Sequence, residues 1–69
     1  MSRLFTVTVM KEDEWFVAKC LENSVASQGK TMDESLDNLR EAITLYYEEE
    51  PLPIFPQPQT YVTTMEVAL

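Results

Sequence analysis

TMDESLDNLREAITLYYEE, residues 31–49, decides the fold. Thr31-Met32-Asp33-Glu34 is a capping box. The Thr31 hydroxyl can accept from the Glu34 backbone N–H, and the Glu34 side chain can reach back. Asp33 and Glu34 also lie at the positive end of the helix dipole. Met32, Leu36, Leu39, Ile43, Tyr46 and Tyr47 then recur at helical spacing and form one apolar stripe roughly 100° wide. The spacing predicts a helix running to about Glu49, with Leu45 outside the stripe as a second contact.

Upstream, RLFTVTVM (3–10) alternates and is β-branched, so it reads as a strand. KEDE (11–14) reads as a four-residue turn and WFVAKCL (15–21) as the returning strand. That loop sets Val9 opposite Phe16, Val7 opposite Ala18 and Phe5 opposite Cys20, all apolar and on one face. The other face pairs Met10 with Trp15, Thr8 with Val17 and Thr6 with Lys19. ENS (22–24) is a second turn, and Val25 to Gln28 a short third strand ended by Gly29. This sole glycine is expected to supply a turn conformation that a side chain would penalise.

Downstream, PLPIFPQPQ (51–59) carries all four prolines and reads as a stiff, extended crossover. TYVTTMEVAL (60–69) reads as a last strand, on the β-branched Val62, Thr63, Thr64 and Val67. The expected fold is α+β, a single domain over 1–69 in the order β-β-β-α-β. One helix packs on a four-stranded mixed sheet whose last strand returns beside the first by a right-handed crossover. The far face of the sheet, with Leu4, Met10, Trp15 and Val17, then needs cover from a second chain or stays partly exposed. A chain of 69 residues buries a small core and is marginal as a monomer, so a homo-oligomer (dimer or higher) is expected.

The net charge is −7, and the five basic residues are scattered. That argues against a nucleic-acid binder, which needs a basic footprint, and is read either as favouring a basic partner or as aiding solubility alone. Cys20 is the only cysteine, so it reads as a small core residue and no intrachain disulfide can form. No signal-peptide pattern or spanning apolar run occurs, and a cytoplasmic protein is expected. Without histidine, His-based triads and zinc sites are absent. The remaining carboxylates near turns are Asp13, Glu14 and Glu22. Asp33, Asp37 and Glu41 recur every four residues on one side of the helix, flanking the apolar stripe. Nothing in this spacing builds the low-dielectric cleft that a catalytic carboxylate requires. No catalytic residue, metal or cofactor is expected, and the chain is read as a non-enzyme. The outward acids are read either as a solvated face or as a face for a basic partner. Glu12, Asp13, Trp15, Asp33, Asp37 and Glu41 are the candidate partner-binding residues, with Trp15 read either as an interface anchor or as packing on the outer sheet face.

Gly29-Lys30-Thr31, Asp33-Glu34-Ser35-Leu36, Asn38-Leu39 and Glu41-Ala42-Ile43 with Leu45-Tyr46 together resemble the HicB-like antitoxin family, along essentially the whole chain. The resemblance implies a partial ribonuclease-H-like fold without nuclease chemistry. It also implies binding and occlusion of a small basic toxin that cleaves messenger RNA. The DNA-binding domain that many members carry is not expected here, so the chain resembles a stand-alone N-terminal domain. The alternative reading is an oligomeric regulatory or small-ligand-binding module without a toxin partner.

Overall fold

A computed structural model describes residues 3–49 and 60–69. Three strands form an antiparallel sheet in the order β1-β2-β3: β1 (Val7–Glu12), β2 (Trp15–Cys20) and β3 (Ala26–Gly29). One helix, α1 (Met32–Glu49), packs on it. The order among the described residues is therefore β-β-β-α. This corrects the four-stranded mixed sheet and the partial ribonuclease-H-like arrangement expected from the sequence. Residues 60–69 form no strand, and every one of them is exposed. The physical reason lies in the basis of the expectation: β-branched side chains fit a pleated, half-buried surface, and this segment rests on none in its own chain. The expected proline crossover, 51–59, lies outside the described residues.

The β1–β2 hairpin is tighter than expected. Its register is Val7↔Cys20, Val9↔Ala18, Met10↔Val17, Lys11↔Phe16 and Glu12↔Trp15. Only Asp13 and Glu14 form the loop, because Asp13 takes a left-handed φ of 54° that closes the turn in two residues. The strands have slipped by two residues from the expected pairing. A slip of two leaves every side chain on its face, so Phe5, Val7, Val9, Phe16, Ala18 and Cys20 remain on the helix side.

The core is Ala18, Cys20 and Leu39, with Phe5, Val7, Val9, Val25, Leu36 and Ile43 packed around it. Leu36, Leu39 and Ile43 thus anchor α1 as the stripe predicts, whereas Met32 and Tyr46 are exposed. Ser35 lies fully buried beside Leu39, its hydroxyl satisfied by donating to the Met32 carbonyl at 2.7 Å. The cap forms with one of the two expected bonds, the Glu34 N–H donating to the Thr31 hydroxyl at 3.1 Å.

Gly29 has a different role from the one expected. Its φ is not positive. A Cβ there would lie 2.7 Å from the Ser35 backbone nitrogen and 2.9 Å from the Glu34 carbonyl carbon. The glycine lets the first turn of α1 sit directly on the end of β3. At the other end of the helix, Tyr47 stacks on Phe5 at 5.8 Å, and its hydroxyl accepts from Asn23 Nδ2 at 3.2 Å.

Helix α1 lies over β3 and β2 rather than over β1. The inner face of β1 is therefore only partly covered. Beside it runs an open groove of about 510 Å³, floored by Phe5, Val7, Leu36 and Ile43 and flanked by Arg3 and Arg40.

Candidate functional site

The hairpin tip and the helix start meet at one end of the molecule. Phe16 pairs with Gly29, so Trp15 and Lys30, the next residues outward, are neighbours. The Lys30 ammonium sits 4.3 Å from the centroid of the Trp15 ring, a cation–π contact that fixes the indole. Trp15 nevertheless stays 38% exposed, large for an aromatic of this size. Glu12 is its cross-strand partner and Asp13 follows in the turn, both exposed. Asp33 lies exposed in the first turn of α1, on the same end.

Of the six candidate partner-binding residues, three are thus gathered: Glu12, Asp13 and Trp15, whose ring lies on the sheet face away from α1, whereas Asp33 is on the helix side. Asp37 and Glu41 continue along the exposed helix, one and two turns away. Asp37 is not a bare charge, because Arg40 Nη1 holds its carboxylate at 3.0 Å. Both partners are mostly exposed, and such a pair is worth little in stability. It does lower the negative potential midway along the stripe. Lys30 was not among the candidates. Its contact joins a loop to a strand fifteen positions upstream, and only the β2–β3 register brings the two together.

Glu22, one of the turn carboxylates, is engaged with the backbone. Its Oε1 accepts from the Thr6 N–H at 2.8 Å and from the Cys20 thiol at 3.6 Å. Burial pushes the Glu22 carboxyl up, but the hydrogen bonds from Thr6 outweigh it and hold the group below its ordinary value. Cys20 is fully buried, as a small core residue should be, and desolvation pushes its thiol up. A protonated thiol enclosed in this way is a poor nucleophile.

Among the described residues, no group of three or more acidic, cysteine or histidine side chains is placed to hold a metal ion. No helix among them is long and apolar enough to cross a membrane. The arrangement offers recognition chemistry: a held aromatic ring, flanking carboxylates, and backbone groups at a turn.

A family model described as a family of unknown function, DUF7387, matches residues 6–56, a span that contains all three strands and the helix. No curated protein and no solved structure matches the chain.

Proposed function

The chain belongs to the DUF7387 family of unknown function, and from its geometry we propose that it is a non-catalytic protein-interaction domain that binds a basic partner. The observation that carries this reading is Trp15, exposed at the hairpin tip, held by Lys30 and flanked by Glu12 and the turn residue Asp13. A fixed aromatic ring beside like-charged carboxylates suits an interface anchor. The ring supplies buried area, and the carboxylates supply steering and specificity. The net charge of −7 extends the same attraction beyond contact distance.

The HicB-like resemblance of residues 29–46 gives the class of partner: a small basic toxin that cleaves messenger RNA. Occupying the basic surface with which such a toxin grips RNA would block it sterically. No chemistry on the part of this chain is needed. A cytoplasmic setting suits a lone, buried, unpaired thiol.

The test is to identify the adjacent gene and, where it encodes a small basic protein, to titrate that protein with this chain at low and moderate salt. Saturable binding that suppresses RNA cleavage and weakens at least about tenfold in Trp15→Ala supports the reading. Binding that is indifferent to Trp15, or an adjacent gene that encodes no basic protein, would count against it.

A further inference from the structure

We propose that residues 60–69 of one copy dock as a strand along the open edge of β1 in a second copy, reciprocally, to give a two-fold dimer. This goes beyond the interaction reading above and does not depend on it. Four observations carry it.

The two edges of the sheet are treated differently. At β3, Asn38 Nδ2 donates to the Gln28 carbonyl at 2.9 Å, so the helix closes that edge. At β1, the Thr6 carbonyl accepts from the Leu21 N–H. By the two-residue alternation of the antiparallel ladder, Thr8, Met10 and Glu12 face β2 as Thr6 does. Val7, Val9 and Lys11 therefore turn their N–H and C=O groups outward. No described strand covers them.

The helix leaves the inner face of β1 partly open as well. The groove over Phe5, Val7, Leu36 and Ile43 is continuous with the β1 edge. A strand added there would both extend the ladder and cover apolar side chains.

Residues 60–69 have the matching pattern. Tyr61, Thr63, Met65, Val67 and Leu69 fall on one face of an extended strand; Thr60, Val62, Thr64, Glu66 and Ala68 fall on the other. The first face is the more apolar, yet Met65 is 84% exposed and Val67 62% exposed in the single chain. The segment starts beside β1, where the Thr6 hydroxyl meets the Thr60 carbonyl at 3.5 Å. Beyond it, Val62, Met65, Val67 and Leu69 are exposed, and the residues named as lining the groove come from elsewhere in the chain.

Charge permits the approach at this place. Copies carrying −7 each repel, but two of the five basic side chains flank the groove: Arg3, and Arg40 in its ion pair with Asp37. Two ten-residue segments exchanged by symmetry are on the scale of a standard interface of about 1,600 Å².

The test has three parts on the full chain. Sedimentation equilibrium should show a dimer. A mixture of isotopically labelled and unlabelled copies should show contacts between the Met65 methyl of one copy and Val7 or Val9 of the other. The double variant Met65→Asp, Val67→Asp alters side chains exposed in the single chain, so its circular dichroism should stay that of a folded domain. Its dimer should dissociate at a concentration at least about 100-fold higher, about tenfold for each of the two interfaces the exchange creates. Three results would overturn the proposal. One is a monomer at every accessible concentration. Another is a dimer unaffected by the double variant but broken by Met10→Asp, which would place the interface on the outer sheet face. The third is contacts of Met65 with β1 found only within one copy.

Discussion

Asn38 donates its side-chain N–H to the carbonyl oxygen of Gln28 at 2.9 Å, so the helix satisfies an outward backbone acceptor on β3. An edge strand with unpaired polar groups invites other strands, and a side chain seated on it is a barrier to them. Asn38→Ala is expected to cost about 1 kcal/mol, the net worth of a partly exposed hydrogen bond. It should also increase association through β3. Urea unfolding combined with light scattering checks both. A variant as stable and as monodisperse as the parent would show that the bond does neither.

Gly29→Ala tests the packing of the helix on the sheet. The added methyl would meet the Ser35 nitrogen at 2.7 Å, and that neighbour is backbone within the first helical turn. It cannot swing aside as the end of a side chain could. The helix start must lift from β3, at a cost of about 2–3 kcal/mol by analogy with overpacked cores. Thr31→Ala at the cap should cost less, about 1 kcal/mol. Equal effects at the two sites in a denaturation series would rule out the close approach as the reason for the glycine.

The helix was legible because its signals are local: Thr31 to Glu34 is one turn, and Leu36, Leu39 and Ile43 share a face by spacing alone. The faces of the hairpin were legible too, but its register was not. Alternation in Val7-Thr8-Val9 and Val17-Ala18-Lys19 is unchanged by a slip of two. What fixed the register was the left-handed conformation of Asp13, which no hydrophobic pattern reports. The last strand failed for a different reason. Val62 and Val67 announce a preference for a pleated surface, whereas forming a strand requires an edge to pair with, and pattern alone does not say whose. At the candidate site, the exposure of Glu12, Asp13 and Asp33 followed from their places in the polar KEDE segment at the hairpin tip and on a polar helix face. The Lys30 contact with Trp15 depended on register and so lay beyond the same reasoning.

Cys20 should behave as a core residue in its reactivity. It is fully enclosed, and desolvation raises its thiol above the ordinary value of 9.0. A thiol-reactive probe should therefore label it at the rate of unfolding, with labelling accelerated by urea. For a group whose folded value is raised, the associated stability is present below the unfolded value and is lost as pH rises through the folded one. Stability should thus decline above about pH 9, and Cys20→Ala should remove that part of the decline. Rapid stoichiometric labelling of the native protein at neutral pH would contradict the burial.

Glu22 supplies the opposite dependence. Burial acts to raise its carboxyl, but the hydrogen bonds from Thr6 prevail and hold it below the ordinary value of 4.5. A depressed carboxyl stabilises the fold fully above its unfolded value, and that contribution is lost as pH falls through the folded value. Stability should therefore drop between about pH 5 and about pH 3, on top of the general acid response of the exposed carboxylates. Glu22→Gln keeps an oxygen that can accept the Thr6 N–H while removing the charge, so it separates the hydrogen bond from its ionic part. The variant should be less stable than the parent at neutral pH, and the difference should shrink toward pH 3. The check is urea unfolding of both proteins across that window. A constant difference would mean that the Glu22 charge adds nothing to the contact with Thr6 and that its role at the start of β1 is steric.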